Sequence, residues 1–282
     1  MLTVLLALGS AAMYGLSDFL GGSVSRRTSV WAVAVVTQIT AMVLIGGANL
    51  LLGGESSVSD LLWGALAGMG TGSGTAFLYR GLAAGRMGVV APISAVGAAL
   101  LPVAVGLATG ERPPPLTWIG IAIAFPAIWL VSSTGGPASG DHSPAPSSEG
   151  VVDGLLAGLG FGVMFAALGQ GSDAAGLAPL ALAEVVSIVA VIALATVMRQ
   201  DWLPRERASW NGIWIGGIAA GATVLFLFAT QSGLLAVASV LASLYPAVTV
   251  LLAATLLRER IHARQAIGLA LALSAVALVA AG

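Results

Sequence analysis

Residues 133–150 read STGGPASGDHSPAPSSEG, and this stretch divides the chain into two halves. It is rich in Ser, Gly and Pro and contains no large aliphatic residue, which is typical of a flexible linker. On each side of it, long apolar runs alternate with short polar segments. We therefore predict a first repeat over residues 1–132, a linker over 133–150 and a second repeat over 151–282.

The composition is that of a polytopic membrane protein rather than a soluble one. Of 282 residues, 58% are hydrophobic and 8% are charged, whereas soluble domains carry about 25% charged residues. The net charge is -1 and the eleven basic residues, all arginine, are scattered, so we expect no nucleic-acid partner. Cysteine is absent, and the two histidines lie in polar segments. We therefore expect no metal site and no cofactor.

The apolar runs predict an all-α fold with ten transmembrane helices, five in each half. A helix of about 20 apolar residues crosses the ~30 Å hydrocarbon layer. The predicted helices are Leu2–Gly22, Ser29–Leu52, Leu61–Gly81, Met87–Thr109, Leu116–Ser132, Val151–Gln170, Leu177–Met198, Trp210–Thr230, Leu234–Leu257 and Arg264–Ala281.

The two halves resemble each other at an offset of 146 to 149 residues. Tyr14-Gly15 matches Phe161-Gly162. Gly68, Gly72 and Phe77 match Gly217, Gly221 and Phe226, in that order. Glu111-Arg112 matches Glu259-Arg260, and Gly120 matches Gly268. Because five crossings is an odd number, a repeated five-helix unit must run in opposite directions in the two halves. The sequence therefore predicts inverted repeats.

The arginines support this inversion and predict an orientation. Each arginine-bearing loop of one half corresponds to an arginine-poor loop of the other, and ten of the eleven arginines fall on one side. Cytoplasmic loops retain positive charge. We therefore expect the linker and most arginine-bearing loops to be cytoplasmic, and both termini to lie outside the cell membrane.

The second half closes on Ser239–Gly268, SVLASLYPAVTVLLAATLLRERIHARQAIG. Small residues lead into a proline, and an apolar helix, Glu-Arg and a final Gln and Gly follow. This segment resembles the closing half-motif of the EamA-type drug/metabolite transporter superfamily, and residues 81–120 carry a weaker copy. The first copy has Ala98 where the second has Pro246. The resemblance implies a ten-helix permease of small molecules, often an exporter, but it names no substrate.

Intramembrane ionisable residues usually face a bundle interior or a wet cavity, and inverted-repeat transporters bind substrate near the midplane. Glu184 and its near-equivalent Gln38 are therefore predicted to bind substrate, and Glu184 also to exchange a proton. The alternative is a protonated Glu184 hydrogen-bonded between helices. Asp18 is a second candidate for proton coupling, although the position favours an interfacial ion pair with Arg26 or Arg27.

Further substrate contacts are expected from Tyr14, Phe161, Tyr245 and Ser243, although core packing of the first two is an alternative. Hinge or packing roles are expected for prolines within helices and for glycines at every fourth residue. These residues are Pro92, Pro246, Gly64, Gly68, Gly72, Gly217 and Gly221. Glu111 and Glu259 precede the fifth and tenth predicted helices, whose N-termini we expect them to stabilise.

These features predict a gradient-driven secondary transporter that moves a small metabolite, amino-acid-like compound or drug by alternating access. Its partners would be the substrate and the lipid bilayer, with a homodimer left open. A passive channel and a non-transporting accessory subunit are the alternatives. An intramembrane enzyme is disfavoured because no histidine lies in a predicted helix, and no ATP-binding motif occurs.

Overall fold

The structure, a computed structural model, describes residues 1–25, 27–83, 87–132, 148–256, 258 and 261–282. Within these residues it contains α-helices, two short 3₁₀ helices at Asp173–Ala175 and Arg207–Asn211, and no strand. The helices are α1 (Leu2–Ser25), α2 (Val30–Leu52), α3 (Val58–Ala83), α4 (Met87–Ala108), α5 (Pro115–Ser132), α6 (Ser148–Leu168), α7 (Ala178–Val197), α8 (Gly212–Gln231), α9 (Leu235–Ala242), α10 (Tyr245–Leu256) and α11 (Ala263–Ala281).

The predicted all-α polytopic membrane fold is confirmed. In the described part of the chain, nine spans are long and apolar enough to cross a membrane, with α9 and α10 counted together as one. The helix outside this set is α3, whose many Gly, Ser and Thr residues lower its hydropathy. Most of the predicted linker, together with Arg26, Arg86, Glu259 and Arg260, lies outside the described residues.

The ninth predicted helix is not continuous, which corrects the sequence prediction. It is interrupted at Ser243 and Leu244, and α10 begins at Tyr245 with Pro246 as its second residue. Inside a helix, a proline lacks the N–H that would donate a hydrogen bond, and its ring crowds the carbonyl four residues earlier. In a first turn the N–H groups have no partner within the helix, so a proline is tolerated there. By contrast, α4 continues through both Pro92 and Pro102.

The two halves of the chain are interleaved, and most helix packing is between them. Helix α1 packs against α8, α9 and α10, while α6 packs in the same way against α3 and α4. Helices α3 and α7 pack together, as do α8 and α2, and α5 packs against α11. Exchanging the two halves exchanges these partners, so the packing has the pseudo-symmetry that an inverted repeat requires.

Glycines on α3 allow the backbone of α7 to approach closely. A Cβ built on Gly64 would lie 2.8 Å from Pro179 Cα, and one on Gly68 would lie 2.8 Å from Val186 Cβ. Gly72 faces the same helix, where a Cβ would lie 2.5 Å from Ala190 Cβ. These three predicted packing residues therefore form one helix contact, which a methyl group would obstruct.

The equivalent contact of α8 with α2 is formed by Gly212 and Gly216, which corrects the predicted role of Gly217. A Cβ on Gly216 would lie 2.7 Å from Thr40 Cβ, whereas one on Gly217 would meet only Leu44 Cδ1, at 3.7 Å. Gly221 faces the Met13 side chain of α1 instead. The sequence alignment of the two repeats was therefore wrong by one residue at this helix.

The end of the bundle that carries both chain termini, which we call the terminal end, is tied together across the halves. Thr3 Oγ1 donates to the Ser232 carbonyl over 2.8 Å. Ser56 Oγ donates to the Ala175 carbonyl over 2.7 Å, and the Ser172 N–H donates to Asp60 Oδ1, also over 2.7 Å. These bonds join the first turns and loops of one half to those of the other.

Asp60 lies in the first turn of α3, just before the predicted span Leu61–Gly81. Its carboxylate accepts hydrogen bonds from the Ser57 hydroxyl, the Ser172 N–H and the Ser57 N–H. These bonds favour the charged form and lower the pKa of Asp60 to about 2. The side chain therefore caps α3 and fastens it to the loop after α6.

Glu111 stabilises a different helix from the one predicted. Its carboxylate accepts from the backbone N–H groups of Leu235 and Ala236, the latter over 3.0 Å. It therefore caps α9 of the other half, not the N-terminus of α5. The correction is physical, because the loop before α5 turns the side chain toward the unsatisfied N–H groups that open α9.

The opposite end, which we call the arginine-rich end, carries the described Arg27, Arg80, Arg199, Arg205, Arg207, Arg258 and Arg264. There the Thr28 and Ser209 hydroxyls hydrogen-bond over 2.8 Å, and Arg80 Nε donates to Asp153 Oδ1 over 2.7 Å. The described Arg112 lies at the terminal end. The arginines are therefore divided between the two ends as unequally as the sequence predicts.

A candidate substrate cavity between the halves

A cavity of about 140 Å³ lies between the two halves in the middle of the bundle. Helices α1, α2 and α3 of the first half and α6, α7 and α8 of the second contribute most of its wall. The first residue of α10, Tyr245, also lines it, because the break before α10 exposes this position. The interleaved packing therefore creates a space that neither half encloses alone.

Six of the residues singled out in the sequence line this cavity: Tyr14, Asp18, Gln38, Phe161, Glu184 and Tyr245. Ser243 does not. It is fully buried at the helix break, and its Oγ has no hydrogen-bond partner. The predicted substrate contact of Ser243 therefore has no counterpart in the cavity wall, because the chain turns at this residue before α10 reaches the cavity.

Glu184 and Gln38 enter the cavity from helices that start at opposite ends of the bundle. Glu184 is the seventh residue of α7 and Gln38 the ninth of α2, each roughly 10 Å along its helix at 1.5 Å per residue. Their side chains are 7% and 6% exposed. Gln38 Oε1 is buried without a hydrogen-bond donor among the described residues. Buried polar atoms are usually paired, so this oxygen lacks the partner that such an atom normally has.

Asp18 is placed differently from its prediction. Helix α1 extends to Ser25, so Asp18 lies two turns before its end instead of in the last turn. The side chain is exposed at the cavity. Among the described residues no ion pair joins it to Arg27, and Arg26 is outside them. The interfacial ion pair is therefore absent as far as the described chain extends.

Aromatic rings form one side of the cavity. The Tyr14 ring meets the rings of Phe165 and Tyr245 edge to face, with centroids 6.1 Å and 6.5 Å away. The Tyr14 hydroxyl and Thr223 Oγ1 are 2.9 Å apart, and Thr223 Oγ1 also donates to the Ala219 carbonyl. Because a threonine hydroxyl has one proton, Tyr14 is the donor to Thr223. The ring of Tyr14 is therefore fixed in the wall.

The sequence analysis missed the threonines of the cavity. Thr37, Thr71, Thr75 and Thr223 all line it, and Thr37 Oγ1 is buried without a partner. One signal for them was available, since Thr75 and Thr223 occupy equivalent positions on α3 and α8 at the repeat offset. Without a structure, however, a threonine in a helix is as compatible with a bond to its own backbone as with a cavity.

The cavity extends toward the arginine-rich end. Asp18, Ala34 and Leu78 line that part of it, and each lies near the end of its helix on that side. Toward the terminal end, the buried side chains of Leu168 and Leu180 close it. No group of three His, Asp or Glu residues able to hold a metal ion occurs in the described part of the chain.

Comparison with known proteins agrees with this architecture. Residues 149–281 match the family model of the EamA-like transporter family. The chain contains an EamA-like domain. This domain comprises α6 to α11, and the predicted resemblance is confirmed. The matched half is similar to a transporter family, and the apolar spans of the described chain are those of a multi-pass membrane protein.

The fold of the whole chain also occurs in a protein of known structure. A protein of known crystal structure has a TM-score of 0.71 and 17% sequence identity, and the match covers 99% of this chain and 98% of that one. At this identity the likeness concerns the fold alone. No curated protein is significantly similar in sequence.

Proposed function

We propose that the protein is a secondary transporter that carries a small molecule through the central cavity by alternating access. The observation that supports this most strongly is the pair Glu184 and Gln38. Both are buried in the membrane, both line the cavity, and Gln38 Oε1 has no partner among the described residues. Such groups are costly in a bilayer unless they meet a ligand.

One-sided closure of the bundle supports alternating access. Leu168 and Leu180 close the cavity toward the terminal end, while the cavity reaches toward the arginine-rich end. In this arrangement the substrate enters from the arginine-rich side. The pseudo-symmetry supplies a second arrangement, in which equivalent contacts close the other end.

The absence of native cysteine makes a direct test simple. Thr75→Cys places a reporter thiol in the cavity wall. Thr3→Cys with Gly233→Cys adds a lock at the terminal end, because a Cβ on Gly233 would lie 3.2 Å from Thr3 Cβ, near the ~3.8 Å of a disulfide. A membrane-impermeant thiol reagent is then applied from each side of vesicles, and modification of the reporter thiol is read by mass spectrometry.

A carrier predicts that the reporter thiol reacts from both sides without the lock and only from the arginine-rich side with it, reversibly on reduction. Oxidised Thr3→Cys without its partner is the control. A reporter that never reacts from the terminal side would favour a static accessory subunit. A reporter that reacts from both sides despite the closed lock would favour a passive channel.

We further propose that the protein resides in the cell membrane with its arginine-rich end in the cytoplasm, which would make export the direction favoured by a cavity that extends toward that end. The arginine distribution supports this orientation. A reporter enzyme fused after Gly282 should be active only on the outside of the cell. Activity in the cytoplasm would reverse the orientation and the direction of transport with it.

A further inference from the structure

We infer that the cavity binds a small primary amine in its protonated form, and that it discriminates against amino acids and carboxylates. This inference names the substrate class of the proposed transporter and rests on that function. It follows from the charge of the wall, its unpaired acceptors and its apolar surfaces.

The ionisable groups of the wall that carry charge near neutral pH are acidic. Asp18 and Glu184 line the cavity, and its described lining contains no Arg, Lys or His. Arg80, on the α3 segment that follows Leu78, is engaged by Asp153 of α6. A cation entering from the arginine-rich end therefore meets Asp18 first and Glu184 deeper in the bundle. An anion meets two carboxylates and no compensating group.

Two unpaired oxygen atoms of the wall residues can accept hydrogen bonds. Gln38 Oε1 and Thr37 Oγ1 are buried without partners, and the described residues donate no hydrogen bond to the Glu184 carboxylate. A protonated primary amine presents three N–H donors and no acceptor. It can therefore satisfy acceptors that a quaternary ammonium, which has no N–H, would leave unpaired.

The remaining wall suits an apolar body beside the charge. Tyr14, Phe161, Phe165 and Tyr245 present aromatic surface, and Met164 and Leu168 add aliphatic surface. Aromatic faces attract a nearby cation. The volume of about 140 Å³ is close to that of engineered cavities that hold benzene, which has about six heavy atoms.

An amino acid of the same size carries a carboxylate that this wall does not accommodate. Asp18 and Glu184 would repel it, and the described lining holds no basic residue to pair with it. Leucine, 3-methylbutylamine and 4-methylpentanoate share one hydrocarbon chain. They differ in carrying the positive charge, the negative charge or both, and leucinamide, which has the size of leucine but only its positive charge, controls for the bulk of the carboxyl group.

Isothermal titration calorimetry on the full chain in detergent tests the inference with these probes. We expect 3-methylbutylamine to bind at least about tenfold more tightly than leucine, and 4-methylpentanoate not to bind. Glu184→Gln should weaken the amine by roughly 10- to 150-fold, the range for loss of a charged hydrogen bond. The matched control is Glu206→Gln, which removes an exposed acid far from the cavity and should change nothing.

A second variant provides a test of the inference if Glu184→Gln does not fold. Gln38→Met keeps a side chain of similar length without the unpaired oxygen. It should weaken 3-methylbutylamine but leave the affinity for its N-trimethyl analogue unchanged, since that ion donates no hydrogen bond. Equal affinity for leucine and the amine, or an unchanged amine affinity in both variants, would overturn the inference.

A transport measurement distinguishes failure of the inference about the substrate from failure of the proposed transport function. Counterflow is measured in proteoliposomes with 3-methylbutylamine and with leucine, and protein-free liposomes give the leak of each probe through lipid. Exchange of leucine with no exchange of the cation would keep the carrier and refute its cation preference. Tight, Glu184-dependent binding of the amine with no exchange of either probe would keep the binding site and refute transport.

Discussion

Two adjacent glycines of α8 provide a sharp test of the packing. Gly216 touches α2, where a Cβ would lie 2.7 Å from Thr40 Cβ and still closer to the Thr37 carbonyl, whereas a Cβ on Gly217 finds only Leu44 Cδ1 at 3.7 Å. Gly216→Ala must therefore push α8 away from α2. Gly217→Ala adds a methyl group in ordinary van der Waals contact.

The size of the effect follows from the comparison of the two variants. Both gain the same helix propensity, up to about 1 kcal/mol for Ala over Gly, so this contribution cancels between them. What remains is the overpacking at Gly216, which costs about 1–3 kcal/mol. We expect Gly216→Ala to be less stable than Gly217→Ala by that amount, and Gly217→Ala to be at least as stable as the parent.

Equilibrium unfolding in mixed micelles, followed by tryptophan fluorescence, measures both variants against the parent. Gly68→Ala on α3 is the symmetry-related variant and should lose as much stability as Gly216→Ala, since its Cβ would lie 2.8 Å from Val186 Cβ. If Gly216→Ala and Gly217→Ala proved equally stable within about 0.5 kcal/mol, the packing of α8 on α2 described above would be wrong.

Three further substitutions test individual contacts by the same unfolding measurement. Glu111→Gln should lower the free energy of unfolding by roughly 1–2 kcal/mol, because a charged cap on α9 becomes neutral. Tyr14→Phe should cost about 0.5–1.5 kcal/mol through loss of the bond to Thr223. The pKa of Asp60 is about 2 in the fold against an ordinary value of 3.8. The contribution of Asp60 to the free energy of unfolding is therefore complete well above pH 3.8 and is lost as the pH falls toward the folded-state pKa. Asp60→Asn should remove this loss of stability in acid.

Each of these has a contradicting outcome. Glu111→Gln as stable as Glu206→Gln would mean that the cap on α9 does not form. A Tyr14→Phe variant as stable as the parent would contradict the conclusion that the Tyr14 hydroxyl donates a stabilising hydrogen bond to Thr223. If the free energy of unfolding of Asp60→Asn fell at low pH as it does in the parent, another carboxylate would be responsible for that fall.

Much of the fold could be predicted because lipid imposes strong rules on sequence. A spanning helix needs a long apolar run, and loops retain arginine according to side. These rules predicted the helices and the division of arginines between the two ends. They act on whole segments, however, and do not describe the relation between individual side chains. That is why Gly217 was chosen where Gly216 makes the contact.

The candidate site could be predicted only in part. Glu184, Gln38 and Asp18 stood out because polar groups are rare in such helices, and all three line the cavity. The break before α10 was anticipated only as a hinge or packing role of Pro246, and the capping of α9 by Glu111 could not be foreseen, because it depends on which helices are neighbours. Neighbours here come mainly from the other half of the chain, at separations that a local pattern does not encode.

The interleaving of the halves has a consequence for biosynthesis. Helix α1 has most of its packing surface on α8, α9 and α10, which leave the ribosome after most of the chain has been synthesised. The early helices must therefore remain in the bilayer with their small-residue faces unmatched until translation is nearly finished. During that interval the nascent chain is the form most exposed to membrane proteases and most dependent on the insertion machinery.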